Sequence, residues 1–413
     1  MSNINPINNR LVFKYRTLTP LWIAVFIDII GFSMILPMAP FIAQQFDVHI
    51  FIMGIVLSVN AMFSFIFGPI LGKLSDKFGR KPLLLISQAG TFVGFLMLAI
   101  SNSIWMVIFS RIVDGVFGGN FPIAKAIIGD EVPPKDRSYQ MANIGVAHVL
   151  ASLIGPGMGG LLFSIGGILL PGLFAAELSL FTMIITIGIL KETWPKSKRE
   201  ESHEILQRTN IIKIRKNKNA MFYLTLFGFH TISFTIAMAS LSFFAEMVFG
   251  LDSAEIGFLL MFSGIFRALV RFTLFKFTIN KLGVNNSITV GLGLFLIAFL
   301  LLGFSINVIM FLILLLCISF AASLTRGPLN SNISQSVTPK EQGKINGISS
   351  GLDSFGQIIG PLIGTFILGF FPAFFLSFVL GSIAIIPFLL SFRKIELENY
   401  PVVSPQKDVE VTE

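Results

Sequence analysis

Six acidic or histidine side chains sit within stretches that are otherwise apolar: Asp28, Asp114, His148, Glu177, His230 and Asp353. Arg111 precedes Asp114 by three residues, a spacing that puts guanidinium and carboxylate on one face of a helix. The chemistry open to a carboxylate in such surroundings is loading and release of a proton. Loss of water favours the neutral acid and a nearby guanidinium favours the carboxylate, so moving one relative to the other switches proton affinity. The structural alternative is that Arg111 and Asp114 simply neutralise each other, because a charge in a low-dielectric interior must be paired in any case. A lone histidine such as His148 or His230 serves equally as a hydrogen-bonded packing residue or a titrating one. Glu177 has no motif around it and could pair with a neighbour. Arg267 and Arg271 are one helical turn apart; Arg271 is placed to reach a helix end, whereas Arg267 is deeper and could face a cavity, where it would favour an anionic group on a ligand.

The elements that must carry these residues follow from composition. The chain has 413 residues, of which 54% are hydrophobic and 13% charged, with a mean hydropathy of +0.82. A soluble chain of this size carries about 25% charged residues. Phe outnumbers Tyr 45 to 4, so most rings face something other than water. The net charge of +8 is not gathered on a basic face, which argues against nucleic acid. Cys317 is the only cysteine and lies within an apolar run, leaving neither a disulfide framework nor a cysteine metal site. "GPILGK" (68–73) has three residues between its glycines and ends Lys-Leu, so it is not a nucleotide loop. No nucleophile–base pair, metal cluster or cofactor motif points to an enzyme.

A membrane-spanning helix needs about 20 apolar residues. Twelve runs meet that measure, at roughly 20–43, 50–72, 82–101, 104–127, 139–164, 169–190, 220–246, 253–275, 284–304, 307–330, 343–368 and 371–392. The expected class is an all-α, multi-pass membrane protein embedded in a lipid bilayer. Asp28 lies about 12 Å into the first run, near the midplane, and the other five groups fall at similar depths. With the N-terminus inside, all but four of the 30 Lys and Arg collect in cytoplasmic segments, including the 326–344 region; the exceptions are Arg111, Lys125, Arg267 and Arg271. That bias predicts cytoplasmic termini, in a plasma (inner) membrane. The polar segment 191–219 divides the runs six and six. The expected organisation is a bundle at 1–190, a linker at 191–219, a second bundle at 220–392 and a tail at 393–413. The halves repeat: Val132, Pro134, Lys135, Ile154, Gly155 and Pro156 recur as Val337, Pro339, Lys340, Ile359, Gly360 and Pro361. Halves in the same orientation predict a substrate path at their interface.

One loop breaks the apolar pattern. "GKLSDKFGRK" (72–81) holds Lys73, Asp76, Lys77, Arg80 and Lys81 between the second and third runs. Gly68 and Gly72 would let the second span approach a neighbour, with Asp76 at the N-terminus of another helix. The loop resembles the signature loop of the major facilitator superfamily, with Gly72, Asp76, Gly79, Arg80 and Lys81 in register. "DIIGFSMILPMAP" (28–40) resembles the first-span motif of the twelve-helix drug:proton antiporters, the branch of the tetracycline exporters. "RIVDGVFGG" (111–119) is similar to their fourth-span Arg motif, and "GPGMGG" (155–160) to their fifth-span motif. The second copy of the loop has Asn280 and Val284 where Asp76 and Arg80 stand in the first.

The resemblance implies a fold of two pseudo-symmetric six-helix bundles and alternating-access export of a hydrophobic small molecule in exchange for protons, by a monomer. It implies that Asp28, Arg111 and Asp114 handle the proton, the last being a departure from the family's usual Gln. It further implies a conformational latch in the 72–81 loop, and a bend at Gly155, Pro156, Gly159 and Gly160. Phe32, His148, Glu177, His230, Arg267 and Asp353 are the expected cavity residues, with Phe63, Phe65, Phe234, Phe243 and Phe355 suiting an apolar cargo. The alternatives are transport of an organic anion or metabolite through Arg267, and a sensor or scaffold that moves nothing. The midplane acids argue against the last, because a scaffold has no use for them.

Overall fold

A computed structural model describes residues 15–195, 217–338 and 341–393. Of the expected linker and tail, 196–216 and 394–413 lie outside the described residues, as do Pro339 and Lys340 of the repeat.

Among the described residues every long element is an α-helix. They run α1 (Thr19–Gln45), α2 (Ile50–Phe78), α3 (Arg80–Ala99), α4 (Ile104–Val116), α5 (Asn120–Glu131), α6 (Pro134–Gly166) and α7 (Leu169–Ile189). After the segment that follows α7 come α8 (Lys218–Phe249), α9 (Ser253–Leu282), α10 (Val284–Leu302), α11 (Val308–Gln335), α12 (Gln342–Phe370) and α13 (Phe375–Ser391). Starts are set by side chains that satisfy the free N–H groups of the first turn. Ser103, Asn217 and Asn307 cap α4, α8 and α11, and Asp252 with Glu255 forms a capping box on α9.

Eleven of these segments are long and apolar enough to cross a membrane, counting Ile104–Glu131 as one. The twelfth run gives only the 17-residue α13. The residues before it form a turn, in which the Phe375 N–H donates to the Pro372 carbonyl, and the helix begins only after it. The run at 104–127, expected as one continuous helix, is two: α4 and α5 are separated at residues 117–119.

The repeat is visible in the backbone. Gly79 joins α2 to α3 at φ 109°, and Gly283 joins α9 to α10 at φ 79°, both in the region that favours glycine. Residues 15–195 and 217–393 meet along two helix pairs, α6 with α9 and α2 with α12. The repeat exchanges these pairs.

Three hydrogen bonds between described residues, Gln44–Glu246, Ser253–Gly160 and His49–Gly369, join the halves at the end where α1, α6, α8 and α12 finish and α2 and α9 begin. Gln44 Nε2 donates to Glu246 Oε1 at 2.8 Å, Ser253 Oγ to the Gly160 carbonyl at 3.0 Å, and a His49 ring nitrogen meets the Gly369 carbonyl at 3.1 Å. Phe51 adds ring contacts with Phe366 and Phe370 at the same end.

The "GPGMGG" glycines have separate tasks. A methyl at Gly155 would run into Ser33, and one at Gly159 into the Met34 backbone, both on α1. A methyl at Gly160 would strike the Ser253 carbonyl of α9, whereas one at Gly157 would meet only the Met261 side chain at 2.6 Å. The segment therefore wedges α6 between α1 and α9. Overpacking typically costs about 1–3 kcal/mol. Gly159→Ala and Gly160→Ala are expected to lower the melting temperature of the detergent-solubilised protein, and Gly157→Ala to leave it nearly unchanged, because a methionine can swing aside and a backbone cannot. Equal melting of all three would show that the wedge is not tight.

Candidate functional site: a buried carboxylate cluster beside a broken helix

The break between α4 and α5 places the central residues. Where a helix is interrupted in a membrane, its freed backbone groups must find other partners. Ser87 of α3 provides them: its hydroxyl donates to the Phe117 carbonyl and accepts from the Gly119 N–H at 3.0 Å. The glycines around the break let neighbours close in. A methyl at Gly118 would meet Ser64 at 2.7 Å, one at Gly119 Leu71 at 2.7 Å, and one at Gly90 the Phe117 ring.

Beyond the break α5 restarts with Asn120, which is 1% exposed and donates through Nδ2 to Asp28 Oδ1 at 2.8 Å. The other amide atom of Asn120, Oδ1, is buried with no hydrogen-bond partner. On the near side of the break, Arg111 is 1% exposed and its Nη1 lies 3.3 Å from Asp114 Oδ2. Arg111 also packs 4.8 Å from the Phe95 ring centroid, over a face that attracts cations. Asn60 of α2 ties the pair together, donating to Asp114 Oδ2 at 2.8 Å and to the Arg111 carbonyl at 3.3 Å. The Phe95 ring links the two carboxylates' surroundings: it packs under Arg111 and a methyl at Gly31, three residues beyond Asp28, would strike it. Asp28, Arg111 and Asp114, singled out in the sequence, thus form one cluster spread over α1, α4 and the start of α5.

The latch residues form a second network. Arg80 is buried, with Nη1 at 2.5 Å from Asp76 and Nε at 2.8 Å from Asp130 of α5. It also donates to Ser75 at 2.7 Å, and its backbone N–H donates to Glu192 at 2.9 Å. The Lys81 N–H and Nζ bond Glu192 and the Ile187 carbonyl. All these partners belong to residues 15–195. The helix-to-helix approach expected at Gly72 is absent: a methyl there would meet nothing within 4 Å, and at Gly68 only ordinary contacts. Asp76 pairs with Arg80 along its own chain, not with the N-terminus of another helix.

The remaining expected residues lie outside this cluster. Asp353 Oδ2 lies 2.9 Å from Arg326 Nη2, and Thr231 donates to its other oxygen at 3.4 Å. Arg326, assigned from sequence to a cytoplasmic segment, is inside α11. His230 is buried against Phe295 and lies 3.5 Å from the Thr325 hydroxyl, in the manner of a packing residue. His148 and Glu177 are exposed on α6 and α7, and Phe32 is half-buried one turn beyond Asp28. Phe243 is fully buried and unavailable to cargo, while Phe65 and Phe355 are exposed. Asn60, Asn120 and Ser87 escape a reading that looks only for ionisable groups. The available signals were polar residues within apolar runs and the Gly118-Gly119 pair in mid-span.

Comparison with known proteins bears on the whole chain. It is 28% identical over 332 residues to the class H tetracycline resistance protein of Pasteurella multocida, covering 78% of this chain and 81% of that one. It is 26% identical to multidrug resistance protein 2 of Bacillus subtilis, covering 78% and 82%. Among solved structures, a bacterial homologue of the human lysosomal transporter Spinster superposes with a TM-score of 0.76 at 14% identity, over 92% of this chain and 96% of that one. The human organic anion transporter MFSD10 (TETRAN) gives 0.67 at 21% identity, over 94% and 100%. These two likenesses show the fold. The relatives are transporters and not enzymes. The family model of the Major Facilitator Superfamily matches residues 21–337 and 249–411, and the chain belongs to that superfamily.

Proposed function

We propose that the protein exports hydrophobic, drug-like small molecules across the inner membrane in exchange for protons, by alternating access between two six-helix bundles (1–190 and 220–392, with α13 as the twelfth span) joined by the 191–219 linker. The cluster Asp28–Asn120 and Arg111–Asp114–Asn60 is the observation that carries this reading. Carboxylates at this depth are costly to keep and mark ion pathways, and the tetracycline and multidrug resistance relatives point to the cargo class.

In this reading Asp28 carries the proton and Arg111 with Asp114 sets when it leaves. Asn120 serves both states of Asp28. Its Nδ2 donates to the carboxylate as observed. After rotation of the amide, the unpartnered Oδ1 would accept from the protonated acid. The inter-half bonds at the Gln44–Glu246 end support a state closed there and open at the loop end. With the Lys and Arg bias holding both termini in the cytoplasm, that state faces inward. The Asp76–Arg80 loop then engages the other half in the outward-facing state. Among the described residues, the partners of Asp76, Arg80 and Lys81 lie on one half, as the disengaged state requires. All parts of the site are complete in one chain, consistent with a working monomer.

The test uses inverted membrane vesicles containing the full chain. Energised vesicles are expected to accumulate tetracycline or a lipophilic dye, and a protonophore to abolish the accumulation. Asp76→Asn should slow uptake severalfold without weakening equilibrium binding, since a latch biases states and does not touch cargo. Accumulation that survives the protonophore would overturn proton coupling; binding lost in step with transport would overturn the latch.

A further inference from the structure

A second group of charges, on the other half of the fold, has no part in the proton cluster. Arg326 of α11 pairs with Asp353 of α12 at 2.9 Å. One turn earlier on α11, the Ser323 hydroxyl donates to the Arg267 carbonyl of α9 at 3.2 Å, so the two arginines stand on touching stretches of adjacent helices. From the first half, α6 runs antiparallel to α9, with Gly157 against Met261 and Leu153 against Gly264. Continuing that register brings His148 to within about one turn of Arg267.

The charges do not balance. Asp353 is the one acid paired with any of these groups, and it is committed to Arg326. Among the described residues the Arg267 guanidinium has no ion-pair partner. Arg271, exposed nearer the end of α9, can extend toward water. Arg267 lies within the apolar window Ser253–Phe275, about 21 Å from the start of the helix. An unpaired cation at that depth is expensive, and a guanidinium offers a planar fork that fits carboxylate, sulfonate or phosphate oxygens in pairs.

Resting on the transport reading above, we propose that Arg267, with Arg326, forms an anion-binding site in the substrate path, and that the cargo includes amphipathic organic anions whose carboxylate, sulfonate or phosphate docks on Arg267. Asp353 competes with the ligand for Arg326. Removing its charge therefore strengthens anion binding, a direction opposite to that of a site built for cations. An anionic lipid headgroup presents the same oxygens and is the second source of this chemistry.

The test compares fluorescein, as its dianion, with a cationic rhodamine methyl ester on the same ring scaffold. Both are titrated by fluorescence anisotropy against the full-length protein in phosphatidylcholine nanodiscs. Arg267→Gln is expected to lower the fluorescein-to-rhodamine affinity ratio about tenfold or more, which corresponds to about 1.4 kcal/mol. Arg267→Lys should lower it less, because charge is kept and the fork is lost, and Asp353→Asn should raise it. An unchanged ratio in Arg267→Gln, or a lowered ratio in Asp353→Asn, overturns the proposal. Should Arg267→Gln fail to fold, the opposed signs of the Lys and Asn variants still decide. Nanodiscs with added phosphatidylglycerol identify the source. Competition with fluorescein that disappears in Arg267→Gln shows a lipid headgroup occupying the anion site; absence of competition leaves the soluble anion as its ligand. Proton coupling is read separately through Asp28, so charge selectivity that follows Arg267 in an uncoupled protein would uphold the site and refute only the coupling.

Discussion

Asp28→Asn is expected to abolish proton-driven accumulation of substrate while downhill substrate exchange continues. Asn keeps the size of the side chain and can still hydrogen-bond Asn120, which lies 2.8 Å from the carboxylate in the wild type, so the helix contacts survive. What is lost is the one group of that pair able to bind a proton. Exchange needs only the change of facing, and a permanently neutral residue 28 mimics the protonated carrier. The expected loss is complete for uphill transport, measured as the ratio of internal to external substrate at steady state. If Asp28→Asn still accumulates substrate with unaltered pH dependence, another group carries the proton. Asn120→Ala should slow coupled turnover and alter its pH dependence while sparing exchange, because both states of Asp28 lose their partner.

The second large effect belongs to the Arg111–Asp114 pair. Arg111 is buried and the Asp114 side chain only 13% exposed; the two lie 3.3 Å apart within an apolar span, with Asn60 fastening the carboxylate. Breaking a buried pair by removing one partner costs about 3–5 kcal/mol, because the remaining charge is left uncompensated. Arg111→Ala is therefore expected to lose transport and to lower the yield of folded protein sharply, and Arg111→Ala with Asp114→Asn to recover the folding but not the coupling. Asp114→Asn alone separates the roles. Retained coupling makes Asp114 the structural counter-ion of Arg111. Loss of coupling in this variant with Asp28→Asn still coupled would make Asp114 the carrier. Monodispersity on size exclusion reads the folding, and vesicle accumulation the coupling.

Long-range order was legible because the membrane fixes it: apolar runs of the needed length became helices, all unbroken except the run at 104–127, and the repeated Gly79 and Gly283 mark equivalent turns. The acid cluster was legible for a related reason, since a charge in such a run stands out against its surroundings. The parts that escaped depend on backbone geometry or on contacts distant in the chain. The break at 117–119 is stabilised by Ser87, which no local pattern ties to Gly119. Asn60 and Asn120 carry no charge and so leave little trace in a hydropathy reading, yet they hold both carboxylates. Arg326 lies near the margin of its apolar run, where length alone cannot tell a helix residue from a loop residue, and only the contact with Asp353 places it. The loop at 72–81 was recognisable as a motif, but its partners on this half, Asp130 and Glu192, are 50 and 112 residues from Arg80.

The most direct measurement is substrate-induced proton movement in proteoliposomes of the full-length protein. A pH-sensitive dye is trapped inside, and a substrate gradient is imposed with no pre-existing pH difference. The expected result is a proton flux opposite to the substrate flux in the wild type, absent in Asp28→Asn although labelled substrate still exchanges. A substrate flux in the wild type with no accompanying proton movement would contradict proton exchange. An unchanged proton flux in Asp28→Asn would contradict the assignment of the carrier.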